Sequence, residues 1–213
     1  MPLMPPDLEM AQRLIAVGRR FDARGWVLGT SGNFSAVVSH EPLRLAITAS
    51  GTAKGELTTD QILEIDADAR PCDAGARRPS AEAQLHVEIV RCRGAGAVLH
   101  THSLWSTILS DRHSSQRGLS IEGYEMLKGL EGVTTHEHRE WIPILDNDQD
   151  MTRLAGASRD LLIRDPAAHA LLLRRHGMYT WGRTLSEAIR HVEIVEFLLE
   201  AVARSEPSES RLT

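Results

Sequence analysis

Two histidines separated by one residue follow an apolar stretch near the middle of the chain. Val98 and Leu99 precede His100, and His102 comes two residues later. This run is typical of a short buried strand, in which residues two apart point to the same side. The two imidazoles would then share one face, and neutral imidazole is a common metal ligand. The pattern alone could also arise by chance, since the chain has 10 histidines.

A second apolar run could supply a third nitrogen ligand. Residues 170–173 read Ala-Leu-Leu-Leu and lead through two arginines to His176. Three protein ligands with one position left open are the pattern of a catalytic zinc site, whereas structural sites are closed. We therefore predict a metal site at His100, His102 and His176. His136 and His138 form another His-x-His pair, but no apolar strand flanks them, so they predict a polar loop.

Two loops rich in small residues could hold an anion. The first runs from Gly29 to Ser35 and includes Asn33; the second runs from Ala49 to Gly55 and includes Lys54. Backbone N–H groups exposed by small residues can cradle a phosphate, and a lysine adds a positive charge. The alternative is that both are ordinary turns between a helix and a strand.

Two glutamates have an ordinary structural explanation from the residues alone. Glu82 follows Pro79-Ser80, which opens a predicted helix over 81–91, and the helix dipole favours a carboxylate in the first turn. The functional alternative places Glu82 beside the metal. Glu125 lies in the segment 121–130, which we predict to be helical despite Gly123, with Glu125 in solvent.

Length and composition limit the possible functions. The 213 residues, 42% hydrophobic and 25% charged, predict one domain over 1–213 with a frayed tail from about 205. A net charge of −5 offers no basic field for nucleic acid or for an anionic membrane. Neither a signal peptide nor a membrane-spanning run is evident, and Cys72 and Cys92 predict no disulfide. A reducing cytoplasm is the expected location.

The remaining patterns outline helices and strands around these residues. The acidic turn from Asp146 to Asp150 is predicted to cap a helix through Leu154, Leu161 and Ile163, and Thr184-Leu185-Ser186-Glu187 reads as a capping box. Residues 141–145 predict a short strand, in which Pro143 suggests a sheet edge or a strand end.

Several of these motifs together resemble the class II, zinc-dependent sugar-phosphate aldolase superfamily, from about Met10 to Val202. The motifs that carry the resemblance come in the same order in that superfamily: 29–35, 48–51 with 54–57, Pro79-Ser80-Ala81-Glu82, His100-Thr101-His102 and Arg175-His176-Gly177. Within it, the segments 124–130, 147–150, 176–182 and 190–193 resemble the branch of methylthioribulose-1-phosphate dehydratases.

The resemblance implies an α/β, three-layer fold with a central, mainly antiparallel sheet flanked by helices. It also implies a homotetramer with active sites between subunits and one Zn²⁺ per subunit. Site residues carried over by position are the zinc ligands His100, His102 and His176, the acid/base Glu125, the second-ranked carboxylate Glu82, and the phosphate-binding Asn33, Ser50, Gly51 and Ser80, with Lys54 nearby.

The implied reaction is the dehydration of 5-methylthioribulose 1-phosphate, a small ketose phosphate, to 2,3-diketo-5-methylthiopentyl 1-phosphate in methionine salvage. The alternatives are a class II sugar-phosphate aldolase or a 4-epimerase with the same metal site. A non-enzymatic binding protein on this scaffold is a further alternative.

Overall fold

The computed structural model describes residues 8–73, 75 and 77–206. Most of the tail predicted to fray lies outside these residues, and Ser205 itself ends the last helix. The helices are α1 (Leu8–Asp22), α2 (Ala83–Arg93), α3 (Leu104–Arg112), α4 (Met151–Arg164) and α5 (Leu185–Ser205). The strands are β1 (Asn33–His40), β2 (Leu43–Thr48), β3 (Ile62–Asp66), β4 (Ala97–Thr101), β5 (Gly118–Ile121), β6 (Glu140–Leu145), β7 (Ala170–Leu173) and β8 (Gly177–Gly182).

All eight strands form one open sheet in the order β3-β2-β1-β4-β8-β7-β6-β5. Every neighbouring pair is antiparallel except β6 and β7, which are parallel. Both apolar runs that precede the histidines are strands, β4 and β7, as predicted. The strand β8 lies between them and pairs with each.

Helices cover both faces of the sheet, so the predicted three-layer α/β fold is confirmed. One apolar core lies between the sheet and α1, α3 and α5, and the other lies between the sheet and α2 and α4. The strands supply both cores by alternation: Leu99 faces the first core and Val98 the second. Because His100 is two residues after Val98, its side chain points to the α2 side of the sheet.

Side-chain caps begin three of the helices. Asp150 accepts a hydrogen bond from the Arg153 N–H at the start of α4, as predicted. Thr184 caps α5 by accepting from Glu187 N at 3.2 Å. The capping box is only half formed, because the Glu187 carboxylate accepts from Arg183 N, one residue before the cap.

Two local predictions are wrong. The strand β6 is not at a sheet edge: Pro143 pairs with Gly118 of β5, and β7 joins β6 only from Ile144, so the missing proline N–H faces no partner strand. The segment 121–130 is not an α-helix, because Ile121 belongs to β5 and only Glu125–Gly129 form a 3-10 turn. Gly123 has a φ of +81°, which interrupts any helix there.

Among the described residues, no helix has both the length and the apolarity needed to cross a bilayer.

Candidate functional site

Three histidines from two parts of the chain meet at one end of the central strands. His100 lies in β4, His102 follows that strand directly, and His176 lies in the turn between β7 and β8. One ring nitrogen from each lies within 4.8 Å of the others. His100 Nε2 and His102 Nε2 are 2.8 Å apart. The antiparallel pairing of β4 with β8 brings His176 back to the histidine pair.

Two of these rings are oriented through Nδ1, so that their Nε2 atoms face the cluster. His100 Nδ1 donates to the Met178 carbonyl at 3.0 Å, and His176 Nδ1 lies 3.2 Å from Asn147 Oδ1. In the neutral His100 ring the proton therefore sits on Nδ1 and a lone pair remains on Nε2. Hydrogen bonds of this kind to the other ring nitrogen orient histidine ligands in metal sites.

Burial keeps two of the rings neutral, which is the protonation state that binds metals. The pKa of His100 is well below its usual value, first because the ring is buried and then because His102 and His176 are close. The pKa of His102 falls to about 4, mainly through burial, with His176 and Lys54 adding to the shift. Tyr179 stacks on the face of the His100 ring, with 4.0 Å between ring centroids, and restrains its orientation.

Glu82 lies against this histidine cluster. Its Oε1 is 3.2 Å from His176 Nε2, and its Oε2 is 3.5 Å from His100 Nε2. It is the residue immediately before α2, and not part of that helix's first turn as predicted. Of the two interpretations of Glu82, the geometry favours the one that places it beside the metal.

Asn33 and two further side chains fix the position of that carboxylate. Asn33 Nδ2 donates to Glu82 Oε2 at 2.7 Å, and Asn33 Oδ1 accepts from His86 Nε2. His86 Nδ1 in turn accepts from the Ser35 hydroxyl at 2.7 Å. Burial lowers the pKa of His86 to about 3, so the ring stays neutral and relays these bonds without a charge.

The charges at this point fit a cation. His100 is neutral with its proton on Nδ1, so its Nε2 presents a lone pair to the Glu82 carboxylate. Lone pairs and a carboxylate that converge in this way repel each other, and a cation among them reverses the sign of the interaction. Imidazole nitrogens with an adjacent carboxylate suit Zn²⁺. The residues present therefore fit the divalent metal that the sequence predicts.

A cavity of about 240 Å³ opens directly beside the cluster. Its lining includes all five residues predicted to bind phosphate, together with Glu82 and two of the histidines: Thr30, Ser31, Gly32, Asn33, Ala49, Ser50, Gly51, Lys54, Ser80, Glu82, His102 and His176. The Ser31 hydroxyl is buried and has no hydrogen-bond partner among the described residues. The two small-residue loops thus form one pocket wall with an unused donor. Asn33 lines it too, but its amide is already bonded to Glu82.

Lys54 brings the positive charge to this cavity. Its side chain is fully buried, and its ammonium donates to the carbonyls of Thr52 and Thr30 at 2.7 and 3.1 Å. Burial lowers its pKa to about 8, while the nearby Glu82 charge opposes the shift. Lys54 is therefore mostly protonated at pH 7, and an ammonium with three donors keeps one for an anion.

Glu125 is absent from the lining of this cavity. It lies on the 3-10 turn after β5 with 72% of its side chain exposed, paired with Lys128 at 2.6 Å. The hydrogen bond and charge of Lys128 lower its pKa, so the carboxylate is ionised at neutral pH. Within one chain, the structure brings together every predicted site residue except this one.

Sequence reasoning missed the residues that orient the site. His86 lies four positions after Glu82, which places both on one side of α2, and this spacing could have suggested a pair. Asn147 was noted only as part of a motif, although it contacts His176. Both His86 and Asn147 are polar side chains that lie beside a functional residue in the folded structure.

Comparison with known proteins agrees with this geometry. Residues 12–203 match the family described as Class II Aldolase and Adducin N-terminal domain. A protein of Methylococcus capsulatus named methylthioribulose-1-phosphate dehydratase is 45% identical over 195 residues, covering 91% of this chain and 93% of that protein. A protein of Acidiphilium cryptum with the same name is 45% identical over 190 residues, covering 89% of this chain and 87% of its own length.

The solved structures support the same fold. The L-fuculose-1-phosphate aldolase of Thermus thermophilus superposes with a TM-score of 0.71 at 24% identity, covering 92% of this chain and 95% of that one. With the match over residues 12–203, these findings show that the chain belongs to the class II aldolase and adducin family.

Proposed function

We propose that this protein is a zinc-dependent hydro-lyase that converts 5-methylthioribulose 1-phosphate to 2,3-diketo-5-methylthiopentyl 1-phosphate. Relatives that are 45% identical over about nine tenths of the chain bear the name of that dehydratase. The observation that carries the proposal is the contact of a three-histidine cluster with a cavity that contains a buried lysine and a serine hydroxyl without a partner in the described part of the chain. We place the reaction in methionine salvage, in the cytoplasm.

His100, His102 and His176 would hold one Zn²⁺ per subunit. A bound zinc ion supplies Lewis-acid chemistry, which polarises a carbonyl and lowers the energy of the negative charge that develops on its oxygen. Glu82 lies close enough to the histidines to influence the bound metal or to transfer a proton. It is the second candidate for the acid/base group, after Glu125.

The small-residue loops would bind the phosphate of the substrate. Lys54 contributes the charge, and Ser50, Gly51 and Ser80 line the same wall, with the free Ser31 hydroxyl as a further donor. A bound phosphate holds the reacting carbons in one orientation relative to the metal and the base, which lowers the barrier to reaction. Asn33 serves this site by orienting Glu82.

Glu125 would act as the general base. It takes the proton from C3 of the ketose, and the resulting enediolate expels the C4 hydroxyl, which leaves as water after protonation. The enol that remains tautomerises to the 2,3-diketone. Since Glu125 is exposed and does not line the cavity of about 240 Å³ beside the histidines of its own chain, we propose that it reaches the site of a neighbouring subunit in a homotetramer.

The product distinguishes this reaction from its alternatives. Purified protein is incubated with methylthioribulose 1-phosphate, with and without a chelator, and the product is weighed by mass spectrometry. Loss of one water is expected only without chelator. Two carbon fragments would indicate an aldolase, an isomer of equal mass would indicate an epimerase, and either result would overturn the proposal.

Mixed oligomers test the site between subunits. Glu125→Gln should keep its zinc and lose about 10²-fold or more in turnover, the usual contribution of a general base. His102→Ala should lose zinc but retain Glu125. If the two inactive variants are unfolded, mixed and refolded together, hybrid tetramers should regain activity, because one subunit supplies the metal and another the base. No recovery in oligomers shown to contain both variants would contradict the shared site.

A further inference from the structure

The segment that carries Glu125 is a loop of about 18 residues between β5 and β6, and its stem is closed by hydrogen bonds. Gly123 N donates to the His136 carbonyl at 3.0 Å, and Arg139 pairs with Glu122 at 2.7 Å. Leu127 and Leu130 are buried beneath the 3-10 turn and fix its inner side. Packing therefore holds the base of the turn, while Glu125 itself projects outward.

Two histidines bind the main chain of Glu131, the second residue after this turn. Glu131 N donates to His191 Nε2 at 3.1 Å. The Glu131 carbonyl accepts from His169 Nε2 at 2.9 Å. Both backbone groups of one peptide position are thus held by side chains from outside the loop, His191 from α5 and His169 from the residue before β7.

To make these hydrogen bonds, the His191 ring must be neutral and the His169 ring must carry a proton on both nitrogens. His191 Nδ1 donates to the Trp181 carbonyl at 2.7 Å, so its Nε2 can only accept. Burial lowers the pKa of His191, which keeps it neutral. His169 donates from both nitrogens, to the Glu131 carbonyl and to the Glu140 carboxylate at 3.1 Å. Burial opposes a charge on His169, but the hydrogen bond and charge of Glu140 outweigh burial and raise its pKa.

Glu140 ties this arrangement to the other end of the loop. It is the first residue of β6, it is buried, and it also accepts from His138 at 2.9 Å and from the His169 N–H at 3.1 Å. By contrast, the Glu131 carboxylate forms exposed ion pairs with Arg183 and Arg190, and such pairs contribute little to stability.

We infer that His169 and His191 are positioning residues for Glu125, acting through the Glu131 main chain. The inference rests on the proposed function, because it takes Glu125 to be the base. Neither ring lines the metal and phosphate cavity, and both line a separate cavity of about 410 Å³ together with residues 131–133 of the loop. The direct contact of both rings is with the loop that carries Glu125, and His191 also contacts β8 through the Trp181 carbonyl, so bound zinc must be measured beside turnover.

A pair of substitutions at His191 separates this role from a purely structural one. His191→Asn places an amide nitrogen where Nδ1 was, so it keeps the bond to the Trp181 carbonyl but is too short to reach Glu131. His191→Gln reaches Glu131 and offers an amide oxygen as the acceptor. Arg183→Gln is the matched control, since it removes ion pairs of an exposed arginine with Glu131 and Glu187 and leaves the Glu131 main chain held by both histidines.

The readouts are kcat, KM, bound zinc and hydrogen–deuterium exchange of residues 122–136. We expect His191→Asn to lower kcat about 10- to 100-fold, the cost of misplacing a catalytic group by about 1 Å, with KM and zinc unchanged and exchange of the loop faster. His191→Gln should recover most of kcat, and Arg183→Gln should match wild type.

Each other result overturns the inference. Unchanged exchange would mean that His191 does not hold the loop, and faster exchange with normal kcat would mean that the loop does not position the base. A loss of zinc in His191→Asn would indicate a general structural role. An equal loss of kcat in His191→Gln would indicate the same. Wild-type protein without dehydratase activity would instead refute the proposed function, while the exchange data would still report whether His191 holds the loop.

Discussion

Gly177, the first residue of β8, lies against the end of β4 that carries His100. A Cβ built at this residue would lie 2.2 Å from the Thr101 carbonyl oxygen and 3.1 Å from His100 Cε1. Ordinary carbon–oxygen contacts are about 3.3 Å or longer, so Gly177→Ala should force β8 from β4 by about 1 Å. His176 precedes Gly177 directly and must move with it.

That displacement is large on the scale of a metal site. Ligand distances in a formed site hold to about 0.2 Å, so a shift of about 1 Å should distort the three-histidine site. Changes that misorient a ligand in this way cost about 10- to 100-fold in metal affinity. We expect a loss of at least this size for Gly177→Ala, together with a matching loss of turnover at limiting zinc.

The assay is competition for zinc against a chelator of known affinity, with bound metal measured by mass spectrometry and folding followed by circular dichroism. Gly156→Ala is the control: it lies within α4, and no atom lies within 4 Å of the added Cβ. It should leave zinc affinity unchanged and raise the free energy of unfolding by about 0.5–1 kcal/mol. A Gly177→Ala protein that binds zinc like wild type would refute the reasoning from strand contact to ligand geometry.

Three further outcomes are expected. Lys54→Met should raise KM about 10- to 150-fold with a smaller effect on kcat, because a hydrogen bond to a charged group contributes about 1.5–3 kcal/mol; an unchanged KM for the phosphorylated substrate would exclude Lys54 from its binding. His102→Ala should reduce bound zinc and turnover together, and normal zinc content would exclude it as a ligand. Burial raises the pKa of Glu196 from 4.5 to about 7, so its proton is bound more tightly in the folded state and wild-type stability should fall by about 3 kcal/mol between about pH 4.5 and pH 7. Glu196→Gln should remove that decline in denaturant titrations at several pH values, and a decline of equal size in the variant would count against the burial argument.

The parts of the site that depend on local pattern could be predicted from the sequence. The apolar runs before His100 and His176 predicted strands, and both are strands. The small-residue loops around Asn33 and Lys54 were singled out for their backbone groups, and they do share one cavity. In each case the local pattern was enough to identify the strand or loop, although the contacts between these elements are long-range.

The parts that depend on packing between distant elements could not be predicted. Glu82 looked like an ordinary helix-start residue, because its bond to Asn33 exists only once α2 packs against β1. The turn at Glu125 was predicted to be helical, since its residues favour helix and the competing pairing of Ile121 with Glu140 is made across the loop.

The two strands that carry the histidines lie in the middle of the sheet, with β3 and β5 at its edges. Edge strands unfold locally more readily than central strands. A central strand that leaves the sheet breaks its hydrogen bonds to two neighbouring strands and its contacts with both apolar cores. An ion held between β4 and the β7–β8 turn would therefore be protected from escape during ordinary fluctuations. Its spontaneous release should be slow and should follow large-scale unfolding rather than fraying at the margins.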